Sequence, residues 1–156
     1  MKRCLVLCLV LFVLVSCQSV DYTARYPEFF SDKDTEYTKE VKCIFLEMTE
    51  SFNRGDYEKY IAPLSLDEGE IKSFVDIQKE IAATIKTTYT IKALDVEQWS
   101  EDYIVLHATK DCLYENIQNG EKETVTNLEK YVFERDSEGD WYISSSSGSD
   151  YVEIPS

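Results

Sequence analysis

The chain falls into a first part whose apolar residues recur at helical spacing and a second part in which they alternate. Residues 35–53 form the longest helical pattern, and its apolar face consists of Tyr37, Val41, Ile44, Phe45, Met48 and Phe52. Gly55 suits the left-handed position that ends a helix, and Asp56 then caps a short helix that Pro63 stops. A further helix is predicted over residues 68–86, where Asp67 and Glu70 form a capping box and the core-facing stripe is Ile71, Phe74, Val75, Ile81, Ala82 and Ile85.

After residue 86 the hydrophobic period changes to two, which predicts four strands over residues 87–99, 103–117, 123–135 and 140–147. Helices followed by strands that short turns connect predict an α+β domain in which N-terminal helices pack on a four-stranded antiparallel sheet. The second strand is partly apolar on both faces, whereas a sheet with one solvated face should alternate cleanly. We therefore expect either a homodimer contact or residues 150–156 of the C-terminal tail, which spans 148–156, to cover the second face.

The N-terminus has the pattern of a signal peptide: Lys2 and Arg3 precede an apolar run over residues 4–15. A membrane-spanning helix needs roughly 20 apolar residues, so this run is too short to be one. The segment Leu14-Val15-Ser16-Cys17 resembles the lipobox of bacterial lipoproteins. That resemblance implies cleavage of residues 1–16 and attachment of acyl chains to Cys17, with secretion without lipid as the alternative.

We therefore expect the mature protein to be lipid-anchored on the extracytoplasmic side of a bacterial envelope, at the outer membrane if the cell has one. Residues 17–34 lack periodicity and are predicted to tether the domain, with the aromatic residues Tyr26, Phe29 and Phe30 docking onto it.

The charge balance excludes one class of partner. The chain carries a net charge of −14, and loss of Lys2 and Arg3 with the signal peptide makes it more negative by two, −16. Such a surface repels phosphate backbones, so we expect no nucleic-acid partner.

Cysteine and histidine content bears on disulfides and metals. Outside the signal and Cys17, the cysteines are Cys43, on a predicted helix, and Cys112, on a predicted strand. An extracytoplasmic location allows a disulfide, and a Cys43–Cys112 bridge and two separate buried thiols both remain open. Because the chain has one histidine and no paired-cysteine motif, we expect no metal site. The sequence also contains no Gly-rich phosphate loop, so we expect no cofactor.

One segment resembles the opening of the nuclear transport factor 2-like superfamily, which includes SnoaL-like and ketosteroid-isomerase-like proteins. It is Phe45-Leu-Glu-Met-Thr-Glu-Ser-Phe-Asn-Arg-Gly-Asp56-Tyr-Glu-Lys-Tyr-Ile-Ala-Pro-Leu64, a long helix that ends in Asn-x-Gly-Asp before a short aromatic helix. The resemblance implies a cone-like domain over residues 35–147, with helices on the concave side of a curved sheet and a pocket at the open end.

The superfamily includes both enzymes and binding modules, so the fold does not settle the function. An isomerase of this kind needs a carboxylate base and tyrosine and carboxylic-acid donors in the pocket. The sequence offers pocket candidates but no complete catalytic set; the candidates are Tyr57, Tyr60, Tyr89 and Asp111. We therefore expect a non-catalytic domain that binds a partner protein or a small apolar ligand, in envelope assembly, sensing or immunity. The alternatives are a small isomerase-like or hydrolase-like enzyme that uses the cone pocket and a structural homodimer.

Overall fold

The computed structural model describes residues 20–149, which form a layer of helices on one face of a four-stranded sheet. Helices α1 to α4 span Tyr22–Arg25, Glu36–Asn53, Tyr57–Ile61 and Glu68–Ala82, and short 3-10 turns occupy Pro27–Phe29 and Ala62–Leu64. Strands β1 to β4 span Ile85–Trp99, Tyr103–Asn116, Lys122–Arg135 and Trp141–Ser149. The sheet is antiparallel in the order β1-β2-β3-β4, curled and not closed, which confirms the predicted α+β class.

The helix ends follow the sequence signals closely. The Asp56 side chain accepts a hydrogen bond from the Lys59 amide at the start of α3, and Gly55 has a φ of 77° just after α2. Asp67 and Glu70 form both hydrogen bonds of a capping box at the start of α4. These side chains satisfy amides that the first turn of a helix leaves without a backbone partner.

The core lies between α2 and the concave face of the sheet, by which we mean the face that the helices cover. Alternate strand residues point to this face, and the apolar stripe of α2 packs on them. The buried residues of this core include Val41, Phe45, Met48, Leu94, Ile104, Leu106, Phe133 and Ile143.

Helix α4 differs from its prediction in both length and burial. It ends at Ala82 rather than near residue 86, and Ile85 already belongs to β1. Of the predicted stripe only Val75 is buried, whereas Ile81 is 41% exposed. The reason is its position, because α4 contacts mainly α3 and β1 and does not reach the α2 core.

The part of the predicted tether that the structure describes packs against α2. Tyr22 is buried, its hydroxyl donates to Glu50, and the Tyr26 hydroxyl donates to the same carboxylate at 2.6 Å. Phe29 and Phe30 pack against the core, as the docking prediction expected. The folded body therefore begins near Tyr22 rather than at residue 35.

The opposite, convex face of the sheet exposes Tyr103 and Leu128. The C-terminal residues 150–156 and the N-terminal residues 1–19, including the lipobox, lie outside the described part of the chain. Within residues 20–149, no helix is both long enough and apolar enough to cross a membrane.

Candidate functional site

Three polar side chains meet on the concave face of the sheet: Lys110 on β2, and Glu129 and Tyr131 on β3. The Lys110 Nζ lies 2.9 Å from Oε2 of Glu129, and the Tyr131 hydroxyl donates to the same oxygen. Lys110 is 5% exposed, so the ion pair is largely removed from water. We call these three residues the concave cluster.

Aromatic rings enclose the concave cluster from the helical side. The Lys110 ammonium lies 4.2 Å from the centre of the Tyr89 ring, a cation–π contact. Phe52 of α2 stacks on Tyr89 at 4.2 Å and meets Tyr60 of α3 edge-on at 5.0 Å. The cluster therefore lies in an apolar, aromatic environment in which charges and hydrogen bonds act strongly.

Three polar atoms beside the cluster have no hydrogen-bond partner among residues 20–149: Oε1 of Glu129 and the hydroxyls of Tyr60 and Tyr89. In that part of the chain the only buried side-chain nitrogen or oxygen without a partner is Nε of Arg135. The three atoms are therefore not completely buried, and they comprise one acceptor and two donors.

The tyrosines of the site keep their protons at neutral pH. Burial, with the nearby Glu129 charge as a second cause, raises the pKa of Tyr60 to about 12. Burial also raises the pKa of Tyr89, and it raises that of Tyr131 together with the Glu129 charge and hydrogen bond. Each hydroxyl is thus a hydrogen-bond donor in the functional pH range.

A hollow of about 530 Å³ lies on the concave face at the end of the sheet where β1 begins and β2 ends. Its lining includes Tyr114, which lies two positions from Cys112 on the concave face of β2. The remaining lining residues are Ile85, Asn116, Glu121, Lys122 and Glu123. None of the lining residues belongs to the concave cluster, and Tyr114 lies four positions along β2 from Lys110.

Solved structures with the same architecture include proteins of several kinds. A ketosteroid isomerase-like protein from Erwinia carotovora atroseptica is 17% identical with a TM-score of 0.58, over 74% of this chain and 96% of that one. ActVI-ORFA from Streptomyces coelicolor is 18% identical with a TM-score of 0.60, over 78% of this chain and 100% of that one. A type 2 hexachlorocyclohexane dehydrochlorinase is 14% identical with a TM-score of 0.60, over 72% of this chain and 84% of that one. The chain has the nuclear transport factor 2-like fold. No protein-family model matches the chain, and no curated protein matches it significantly.

The nuclear transport factor 2-like fold brings together two of the four pocket residues expected from the sequence. Tyr60 and Tyr89 flank the concave cluster, whereas Tyr57 packs edge-on against Phe52 at 5.4 Å. Asp111 points to the convex face, because adjacent residues of a strand face opposite sides and Lys110 faces the cone.

On the convex face Asp111 accepts a hydrogen bond from Thr126 at 2.7 Å and pairs with Lys92 at 2.9 Å. The hydrogen bonds from Thr126 and Lys92 lower the pKa of Asp111. It is therefore a structural carboxylate and does not contribute to the cluster.

The two cysteines left open by the sequence are both free thiols in this structure. Cys43 lines a groove of about 600 Å³ between α2 and the start of β4, whereas Cys112 lies on the concave face, 3.3 Å from Nδ2 of Asn127. Burial raises the pKa of both thiols, which makes them poor nucleophiles.

His107, the one histidine of the chain, lies on the convex face and contacts Glu97 at 2.7 Å. No group of three metal-ligating side chains occurs among the described residues.

Lys110, Glu129 and Tyr131 were not among the site residues predicted from the sequence. The alternation of side chains along β2 could have identified Lys110. It places this lysine between Ala108 and Cys112, on an apolar face that should be buried. A lysine at such a position is rarely tolerated without a buried partner, and β3 supplies that partner two strand positions from Tyr131.

Proposed function

We propose that the domain is a small enzyme that transfers a proton at a carbon atom of an organic carbonyl compound bound on the concave face. The observation that carries this proposal is that Oε1 of Glu129 and the hydroxyls of Tyr60 and Tyr89 have no hydrogen-bond partner within the described residues 20–149. The proposal favours the enzymatic alternative over the non-catalytic role expected from the sequence. Two of the similar structures are named as a ketosteroid isomerase-like protein and a dehydrochlorinase, which supports the choice.

In this proposal Glu129 is the general base. Lys110 and Tyr131 both bind Oε2, which fixes the carboxylate and directs Oε1 toward the ligand. Oε1 takes a proton from the carbon next to the carbonyl group, and the electron pair of the broken C–H bond moves toward the carbonyl oxygen. Return of the proton to another carbon gives an isomer, and loss of a leaving group gives an elimination product.

Tyr60 and Tyr89 are the proposed donors to the developing enolate oxygen. Their raised pKa values keep them protonated, so that they can donate hydrogen bonds to an anion without being ionised themselves. Preorganised donors in an apolar site stabilise such an oxyanion much better than water does. The rings of Phe52 and Tyr89 favour a flat, largely apolar substrate.

A substrate-independent test is hydrogen–deuterium exchange at the carbon acid 2-tetralone in D2O, followed by proton NMR. We expect the protein to accelerate exchange, and Glu129→Gln to lower the acceleration by about 100-fold or more, as loss of a general base does. Asp111→Asn is the matched control, because it neutralises a carboxylate on the opposite face of the same sheet and should leave exchange unchanged.

The proposal is wrong if wild-type protein does not accelerate exchange, or if both variants behave like the wild type. A parallel fluorescence titration with 2-naphthol, a planar mimic of an enol, separates binding from chemistry. Saturable 2-naphthol binding that Tyr60→Phe weakens, without any exchange activity, would return the domain to the ligand-binding role.

We further propose that acyl chains on Cys17 hold this domain at the membrane surface. The support is the lipobox in the sequence together with the position of α1, whose Tyr22 is already buried in the domain five residues after Cys17. Two or more acyl chains give stable anchoring where one does not.

The anchoring test is metabolic labelling with palmitate and membrane fractionation of two variants. Cys17→Ala should lose both the label and the membrane association, whereas Cys43→Ala should keep both. Retention of the label by Cys17→Ala would contradict the anchoring proposal.

A further inference from the structure

Glu129 has small residues as its direct neighbours on both adjoining strands. The register places Ala108 of β2 on one side of it and Gly148 of β4 on the other. Residues that pair directly across a sheet share a face, so both lie on the concave face, as does Ser146 beside Tyr131. Ala108 is completely buried, whereas Gly148 and Ser146 are exposed. We call Gly148 and Ser146 the β4 shelf.

The helical layer leaves the β4 shelf uncovered. Strand β4 contacts this layer mainly through the 3-10 turn Ala62–Leu64, and burial along the strand ends with Ile143. Residues 144–148 are all exposed. The side chain of Glu129 is 19% exposed, compared with 6% for that of Lys110 on the β2 side. The accessible part of Glu129 therefore faces the β4 shelf.

The backbone does not require a glycine at position 148. Gly148 lies within β4, and its φ is not positive. Among the described residues, a Cβ there would meet only Cγ of Glu129, at the ordinary contact distance of 3.6 Å. A glycine inside a strand lowers stability, and it often marks a place that a ligand approaches closely. The missing side chain keeps the space beside Glu129 free.

We infer that the β4 shelf binds the ring system of the ligand and that Gly148 determines which ligands fit. The inference rests on the proposed function, because it takes the carbonyl group to lie at Tyr60 and Tyr89. Adjacent strands are about 4.8 Å apart, so a ligand whose reacting carbon lies at Oε1 of Glu129 extends over Gly148 with its next ring. Bare backbone suits the flat face of that ring, which favours planar carbonyl compounds of two or more fused rings.

The first test is fluorescence titration of the full chain with 2-naphthol in mild detergent. Gly148→Leu places a side chain over the shelf and should weaken binding by about tenfold or more, because an added side chain in a packed contact is costly. Gly148→Ala adds one methyl group and should weaken binding less. Ser147→Leu is the matched control, since it adds the same side chain at the next position, on the convex face opposite Lys130, and should bind like the wild type.

The inference is overturned if Gly148→Leu binds 2-naphthol as tightly as the wild type does, or if the wild type shows no saturable binding. An equal loss in Ser147→Leu would overturn it as well, because the effect would then not depend on the concave face.

A second measurement needs no bulky substitution. The thiols introduced by Ser146→Cys and Ser147→Cys lie on opposite faces of β4 and can be alkylated with iodoacetamide, and peptide mass spectrometry separates them from Cys43 and Cys112. At about ten times its Kd, 2-naphthol should slow alkylation of the Ser146→Cys thiol about tenfold, since only the unliganded fraction reacts. It should leave the Ser147→Cys thiol unaffected. Equal rates with and without 2-naphthol at the Ser146→Cys thiol would overturn the inference.

These readouts separate the ligand-binding surface from the chemistry. Loss of binding in Gly148→Leu, in a protein whose wild type does not exchange 2-tetralone, would support the inference and contradict only the proposed enzyme function. Exchange activity that Glu129→Gln abolishes and Gly148→Leu leaves intact would support the enzyme function and overturn the inference.

Discussion

The buried ion pair between Lys42 and Asp34 holds the N-terminal segment on α2. The Lys42 Nζ lies 2.8 Å from each carboxylate oxygen of Asp34 and donates to the Phe29 carbonyl at 2.9 Å. The two side chains are only 6% and 7% exposed. We predict that Lys42→Met, which keeps the shape of the side chain and removes its charge, strongly destabilises the protein.

The magnitude follows from what remains after the change. Removing one partner of a buried ion pair leaves an uncompensated charge and costs about 3–5 kcal/mol. Asp34 keeps hydrogen bonds from the Ser31 amide and the Thr38 hydroxyl, so we expect the lower end of that range. If the N-terminal segment detached from α2, water would hydrate Asp34. The free energy of this local detachment is therefore the upper limit of the stability that Lys42→Met can lose.

Urea denaturation followed by circular dichroism measures this loss. Asp34→Asn and the double variant complete a mutant cycle, and the double variant should lose less than the sum of the two single changes. A loss below about 1 kcal/mol for Lys42→Met, the value typical of an exposed pair, would refute the reasoning.

The same pair predicts a pH dependence. Burial tends to raise the pKa of Asp34, but hydrogen bonds from Lys42 and Ser31 outweigh it and place the pKa below the ordinary 3.8. A lowered folded-state pKa contributes stability above pH 3.8, and this contribution disappears as the pH falls through the folded-state value. The stability difference between wild type and Lys42→Met should therefore shrink below that pH, and a constant difference would contradict the assignment.

Two further predictions concern the junction of α2 with the sheet. Asn53→Ala removes two hydrogen bonds of 2.8 Å to the Tyr89 backbone and should lower the free energy of urea unfolding by about 1–2 kcal/mol. The Tyr89 amide should also exchange faster. Asn53→Asp keeps the acceptor oxygen and should retain part of the stability. Gly55→Ala should cost about 1 kcal/mol through its positive φ alone, since a Cβ there meets no atom within 4 Å, and Gly55→Asn should cost less. Full stability of either alanine variant would contradict the corresponding explanation.

Local signals predicted the elements of this fold because each depends on a few neighbouring residues. Asp67 and Glu70 meet across one helical turn, and Gly55 needs only its own backbone angle. The burial of a helix face depends instead on which element of the fold packs against it. The α4 stripe has a helical period like that of α2, yet Ile81 stays exposed because the sheet lies under α2.

The site was less accessible to sequence reasoning because it joins two strands. The alternation of β2 places Lys110 on the apolar face, but only the register of β2 with β3 shows that Glu129 lies within reach of it. The same alternation excludes Asp111 from the pocket, since it follows Lys110 directly. Tyr60 and Tyr89 were identified by residue type, and the geometry selects them over Tyr57.

The two most buried ion pairs among residues 20–149, Lys42–Asp34 and Lys110–Glu129, differ in a way that bears on function. Burying a charge pair costs desolvation energy that the pairing often only just recovers, so such a pair is weak evidence for stability in itself. Lys42 and Asp34 use their hydrogen-bonding capacity on each other and on neighbouring backbone, which suits a structural clamp. Glu129 has no partner for Oε1 in the described part of the chain, although an apolar side chain at that position would avoid the cost of desolvating a charge. An acceptor held in position by two donors on its other oxygen fits the general-base role that we propose for Glu129.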